Sequence, residues 1–152
     1  MENLVFDSGI KEYRINERGV LRFNTGDPNV YARFMEAIDK MQTAEAAMVS
    51  KAQGIQSGKK TDGELALQIL AETDREMKNI LAWVFGEDND FNQIFEGVNL
   101  MAVGSNGERV ITNFISAIMP ILEEGAKKCA DEQISAAVAK AQQSRAERTN
   151  RP

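Results

Sequence analysis

Apolar and polar residues alternate near the start of the chain in two short runs. Tyr13 and Ile15 alternate with polar neighbours, and Leu21 and Phe23 flank a charged residue. Period-two alternation is typical of half-buried strands. Gly19, between the runs, can adopt the positive φ that a hairpin loop favours. We therefore predict a β-hairpin that packs on helices, because a lone hairpin is only marginally stable in water.

A shorter apolar run precedes this hairpin. Leu4, Val5 and Phe6 are followed by the turn-forming residues Asp7, Ser8 and Gly9. An apolar run closed by a turn signal predicts a further strand. The first 24 residues therefore predict a small N-terminal sheet.

A helical period replaces the alternation after the hairpin. Asp27 can cap a helix, and Pro28 suits its first position, which predicts a helix from Pro28 to about Gln53. Four large apolar residues then recur at seven-residue intervals: Phe34, Met41, Met48 and Ile55. A stripe of this kind is consistent either with core packing or with a seam for self-association.

A second helix is predicted from about Gly63 to Phe85. It follows a glycine-containing loop over residues 54–63, and Thr61 and Glu64 have the spacing of a capping box. Gly86 is placed where a C-terminal cap would end the helix. The apolar stripe predicts the buried face, formed by Ala66, Leu70, Thr73, Met77, Ile80, Leu81 and Val84.

Trp83 lies off the stripe of the second helix, because its helical neighbours are polar. The hairpin or the following segment could cover it. Alternatively, Trp83 could anchor a protein partner, since tryptophans contribute strongly to interface energies.

The rest of the chain predicts a short helix, an apolar segment and a final helix. The short helix covers Phe91–Glu96, and Val98–Val103 fits either a strand or buried irregular chain. Ser105 and Glu108 repeat the capping-box spacing before a helix that Pro120 and Gly125 should weaken. The expected fold class is α+β, mainly α, with a small N-terminal β-hairpin packed on a bundle of three to four helices. Residues 1–125 should form one compact domain, followed by a weakly helical to disordered basic tail, residues 126–152.

The charge divides in the same way as the predicted domain and tail. Residues 1–126 carry 12 basic and 20 acidic side chains, whereas residues 127–152 carry 6 basic and 3 acidic ones. An acidic body argues against nucleic-acid binding, which needs clustered Lys and Arg. We therefore expect no nucleic-acid partner.

The composition argues against most catalytic centres. The chain has no histidine and one cysteine, Cys129, which excludes His-dependent triads, His-ligated metals and multi-cysteine zinc sites. Asp88, Asp90 and Asn92 are spaced as in a calcium loop, but Gln93 and Asn99 occupy the positions of its glycine and its closing acid. We predict no enzyme activity, no catalytic residues, no cofactor and no metal.

The chain also lacks the marks of a membrane protein. No stretch approaches the roughly 20 apolar residues that span a bilayer. The first seven residues do not have the pattern of a signal peptide. We therefore expect no membrane partner and a location in the cytoplasm of the host cell.

The order of these elements resembles the small tail assembly chaperones of long-tailed phages and prophages of Gram-positive bacteria. The resemblance covers roughly residues 4–125, and no catalytic motif contributes to it. The residues that carry it are Arg22-Phe23-Asn24, Asp27-Pro28, Val30-Tyr31-Ala32-Arg33-Phe34, Val84-Phe85-Gly86, Ile94-Phe95-Glu96-Gly97 with Asn99, and Asn113–Leu122.

The resemblance implies a non-enzymatic role in virion morphogenesis. Such proteins bind the long, aggregation-prone tape-measure protein. A second copy of this chain is a further candidate partner, which would form a homo-oligomer. A protein that holds a helical client needs adaptable apolar surface, which methionine supplies. The predicted partner-binding residues are Met35, Met48, Trp83, Phe91, Phe95 and Met101. The alternatives are a phage-encoded inhibitor or adaptor that binds a host protein, and a minor structural protein of the virion.

Overall fold

The computed structural model describes residues 1–55 and 60–150, and the side chains of residues 60 and 61 lie outside the description. The fold is α+β and mainly helical, with a two-stranded N-terminal hairpin packed on helices, which confirms the predicted class. Its elements are β1 (Lys11–Ile15), β2 (Gly19–Phe23), α1 (Pro28–Gln53), α2 (Lys60–Phe85), α3 (Phe91–Ile94) and α4 (Val110–Thr149).

The predicted hairpin is confirmed. β1 and β2 are antiparallel, with Tyr13 opposite Leu21, and the rings of Tyr13 and Phe23 are 5.3 Å apart. Leu21 and Phe23 are buried. The alternating pattern therefore places one face of the hairpin on the helices.

The turn of the hairpin differs from the prediction. The positive φ angles belong to Asn16 (48°) and Glu17 (70°), as in a type I′ turn, and not to Gly19. Gly19 is needed for another reason, because a Cβ atom there would lie 2.9 Å from the backbone of Ile94. The glycine therefore lets β2 approach the backbone of α3 closely.

We expect Glu17→Gly to stabilise the protein. Glu17 holds a positive φ that L-residues other than Asn and Asp adopt at a cost, and Asn-Gly is the preferred pair in a type I′ turn. The gain in the free energy of unfolding should be about 0.5–1 kcal/mol. Thermal denaturation followed by circular dichroism measures it, and a lower Tm would contradict the assigned turn.

The predicted strand over Leu4–Phe6 is wrong. The Asn24 side-chain amide donates to the Ser8 carbonyl at 3.1 Å, and the Gly9 amide donates to Asp7 at 2.8 Å. These bonds hold the chain beside Asn24, and residues 4–6 pair with no strand of the described chain.

The predicted helix over Pro28–Gln53 is confirmed, and Asp27 caps it by accepting from the Asn29 amide at 2.9 Å. Three residues of the seven-residue stripe, Phe34, Met41 and Met48, are buried in the core, whereas Ile55 lies beyond the end of the helix. The core interpretation of the stripe is therefore correct, and the seam for self-association is wrong.

α2 runs antiparallel to α1. Arg33 near the start of α1 donates to the carbonyl of Val84 at 3.1 Å, and Lys51 near its end pairs with Glu72 at 4.0 Å. Residues 56–59 of the predicted loop, and the predicted capping box that uses Thr61, lie outside the described residues.

α3 and the segment after it lie against α2 and β2. Asp90 caps α3 by accepting from the amides of Asn92 and Gln93. Val98–Val103 forms irregular chain, apart from one bridge between Val103 and Arg109. The predicted Ser105–Glu108 capping box is wrong. The Glu108 amide donates to the Asn106 side chain and not to Ser105. α4 begins only after Arg109, an N-cap residue that makes no side-chain cap bond.

Lys78 is a charged side chain buried between α2 and this segment. Its ammonium group donates to Asp74 at 2.9 Å, to Asn92 at 3.1 Å and to the Val98 carbonyl at 3.0 Å. The other carboxylate oxygen of Asp74 accepts from the Leu100 amide at 2.7 Å. A paired and fully bonded charge of this kind can be buried without a large penalty.

α4 is longer than predicted. It continues through Pro120 and Gly125 to Thr149, so residues 126–149, which were predicted as weakly helical to disordered, are helical. Gly125 does not end the helix. It instead lets the helix approach the chain before α1, because a Cβ atom at Gly125 would lie 2.0 Å from the Thr25 carbonyl oxygen.

Candidate protein-binding surfaces

The C-terminal part of α4 extends beyond the rest of the molecule. Every residue from 130 to 150 is exposed. At 1.5 Å per residue, this part is about 30 Å of helix without a covered face. We call residues 130–149 the arm.

The arm carries a narrow apolar stripe. Ala130, Ile134, Val138 and Ala141 follow one another at helical spacing, and Ile134 and Val138 are 62% and 50% exposed. Ile134 comes twelve residues after the buried Leu122, which places it roughly 120° away around the helix. The stripe therefore faces away from the body that covers Leu122.

The base of the arm is held by close backbone packing. Gly26 faces the carbonyl of Gly125 and the side chain of Cys129, and Gly125 in turn faces Thr25. Cys129 is half-buried, and every residue after it up to residue 150 is exposed. The arm therefore starts from a fixed point on the body.

Trp83 lies in a shallow groove between α1 and α2. Its ring is 38% exposed, and the Lys40 ammonium group lies 3.7 Å from the ring centroid. Glu72, Arg75 and Glu76 also line the groove. Lys40 of α1, and not the hairpin, therefore covers part of Trp83, and the rest of the ring faces solvent among mixed charges.

The six predicted partner-binding residues do not form one surface. Met35 is exposed and Phe95 is half-buried. Met48, Phe91 and Met101 are buried, so these three offer little surface to a partner in this structure. Their burial follows from position: Met48 belongs to the buried face of α1, and Phe91 and Met101 belong to the core beside α2.

The residues of the arm were absent from the predicted binding set. Their sequence signal is weak, since it consists of Ile134 and Val138 in an alanine-rich run. Four-residue spacing of two large apolar residues indicates a helical face. The missing information was that no other element covers that face.

The described part of the chain shows neither a cluster of metal ligands nor a membrane-spanning helix. Among residues 1–55 and 60–150, no three side chains of His, Cys, Asp or Glu come together as metal ligands would. None of the helices in those residues has both the length and the apolar character to cross a membrane. Protein-family models, curated proteins and solved structures were compared with the chain, and none of them matches it.

Proposed function

We propose that this protein is a tail assembly chaperone of a long-tailed phage or prophage. It acts in the cytoplasm of the host cell, without enzymatic activity, and holds the tape-measure protein during virion morphogenesis. The observation that carries the proposal is the exposed arm. It is a helix whose base packs closely on the body and whose apolar stripe is uncovered. A chaperone for a long helical client needs such a helical contact surface.

The chemistry of the arm suits one kind of client. An amphipathic helix can pack its apolar face against Ile134 and Val138, while the small alanines of the stripe let the two helices approach closely. The arm itself carries three basic and three acidic side chains and has no net charge. The choice of client therefore rests on the apolar stripe and not on charge.

The exposed part of the body adds adaptable contacts. Met35 is 43% exposed on α1, and its unbranched thioether can adjust to different client side chains. Trp83 offers a second, partly exposed apolar side chain in the groove between α1 and α2. The resemblance in element order from the hairpin to the final helix supports the same role.

We expect Val138→Glu to weaken client binding. The test uses the tape-measure protein encoded with this chain, produced together with it, and measures soluble complex and its dissociation constant. Removing a carboxylate from water to bury it against an apolar helix face costs free energy. The affinity for the tape-measure protein should therefore fall by about tenfold or more. The fold should be unaffected, because Val138 is half exposed and lies in a fully exposed part of α4.

Gln143→Glu is the matched control. It adds the same charge to the arm, but residue 143 lies five residues after Val138, roughly 140° around the helix. It should leave affinity close to the native value. Equal effects of both variants, or no binding of the tape-measure protein by the native chain, would contradict the proposal. Recovery of the protein from purified virions would instead favour a structural component.

A further inference from the structure

Residues 4–6 form an exposed apolar segment. Leu4, Val5 and Phe6 are 86%, 81% and 75% exposed. The chain behind them is fixed, because Ser8 is bonded to the Asn24 side chain. Three consecutive apolar side chains in water mark a segment that gains by binding elsewhere. We call residues 4–6 the N-terminal segment.

The outer edge of β1 is open. The Asn89 side chain accepts from the Arg22 amide at 2.8 Å and donates to the Arg22 carbonyl at 2.9 Å, so both backbone groups of Arg22 point away from β1. Glu12 is opposite Arg22, so the two residues form a pair without hydrogen bonds between the strands. In such a pair, each residue directs its N–H and C=O groups away from the partner strand. Glu12 and Arg14 therefore present their N–H and C=O groups outward. No hydrogen bond within residues 1–55 and 60–150 reaches them.

An apolar groove adjoins this edge. It lies between the end of β1 and α4, and Ile15, Phe95, Phe114 and Ile118 line it. Arg14 belongs both to the open edge and to the wall of the groove. An open strand edge beside an apolar groove is the arrangement that binds an added strand, because the edge supplies hydrogen bonds and the groove takes alternate side chains.

We propose that the N-terminal segment of one copy adds as a strand to the open β1 edge of a second copy. Leu4 and Phe6, which share one face of an extended segment, would enter the groove. The charges are complementary, since Glu2 and Asp7 flank the segment and β1 contributes Arg14 beside the groove. Each copy donates a segment and accepts another, so the contact links copies head to tail, into a ring or an open series.

A second copy is a better occupant than the segment of the same chain. Asp7 precedes β1 by only four residues, and the bond between Ser8 and Asn24 leads the chain past the end of β2. If the N-terminal segment paired with β1 of its own chain, the bond between Ser8 and Asn24 would have to break. The chain would also have to reverse direction within the few residues before β1. A second copy supplies the same segment without disturbing it.

Two variants separate the two halves of this contact. Phe6→Asp removes an apolar anchor of the segment and leaves the β1 edge intact. Glu12→Pro removes an outward N–H that the hairpin does not use, and edge strands tolerate proline. Glu12→Ala is the control, because it keeps the N–H. Arg14→Pro, which removes an N–H with the same direction, replaces Glu12→Pro if that variant does not fold.

Sedimentation velocity across the micromolar range measures the outcome. The native chain and Glu12→Ala should associate, and Phe6→Asp and Glu12→Pro should each associate about tenfold more weakly or worse. An equimolar mixture of these two variants should form dimers and nothing larger, because one retains the edge and the other retains the segment. A monomeric native chain, or a mixture that stays monomeric, would overturn the proposal. Client binding is measured separately, so either proposal can fail alone.

Discussion

Replacement of Gly125 by alanine should destabilise the protein, although alanine is the better helix former. The added Cβ would lie 2.0 Å from the Thr25 carbonyl oxygen and 2.6 Å from its carbon, and both atoms belong to backbone that cannot rotate away. The gain in helix propensity is about 1 kcal/mol, whereas forced overpacking costs about 1–3 kcal/mol or more. We expect a net loss of about 2 kcal/mol, equivalent to a fall of roughly 4–8 °C in Tm.

Gly63→Ala is the control for this experiment. Gly63 is also helical, but among the described residues no atom beyond its chain neighbours and the adjoining helix backbone lies within 4 Å of the position that its Cβ would take. The same substitution should therefore stabilise the protein by about 0.5–1 kcal/mol. A Gly125→Ala variant as stable as Gly63→Ala would show that α4 does not pack on Thr25.

Replacement of Lys78 by methionine should have the largest effect on stability. The side chains of Lys78 and Asp74 are 8% and 15% exposed, and the substitution leaves the carboxylate without its cation. Breaking a buried ion pair in this way costs about 3–5 kcal/mol. Denaturant unfolding measures the loss as a lower midpoint at an unchanged slope.

Two comparisons identify the cause of that loss. Lys51→Met removes an exposed pair with Glu72, whose side chains are 60% and 48% exposed, and should change stability by less than about 1 kcal/mol. Adding Asp74→Asn to Lys78→Met should restore part of the loss, because an amide oxygen can still accept from Leu100. A double variant less stable than Lys78→Met alone would contradict the buried-pair explanation.

The sequence predicts well the elements whose signals are local. The range of α1 follows from Asp27, Pro28 and the stripe through Met48, and the structure has the same bounds. The hairpin follows from alternation over a few residues, and Leu21 marks its buried face. In each case, capping groups or periodic apolar positions lie within the element itself.

The errors concern residues whose environment comes from distant parts of the chain. Gly125 is a helix breaker by propensity, but its close approach to Thr25 involves residues one hundred positions apart. Leu4–Phe6 has the pattern of a strand, yet the bond between Ser8 and Asn24 leads it past the end of β2 and away from the β1 edge. The burial of Lys78 was likewise not predicted from the sequence, because its partners are the Asn92 side chain in α3 and the Val98 carbonyl after α3. None of these contacts leaves a periodic pattern in the sequence.

The candidate site was predicted only in part for the same reason. Trp83 and Met35 were identified by residue type and by position on a helix, and both are partly exposed. Met48, Phe91 and Met101 have the same chemistry but complete the core. Residue type alone cannot separate an exposed apolar side chain from a buried one, and the uncovered arm is visible only once the packing of α4 is known.

Amide hydrogen exchange of the arm tests the central claim most directly. Residues 130–149 are all exposed, so their amides should exchange rapidly in the free protein, whereas core amides of α1 and α2 exchange slowly. On adding the tape-measure protein, we predict that exchange in the arm slows by about tenfold or more, because a bound helix opens less often. Unchanged exchange in the arm, with a soluble complex present, would show that the client binds elsewhere and would contradict the account.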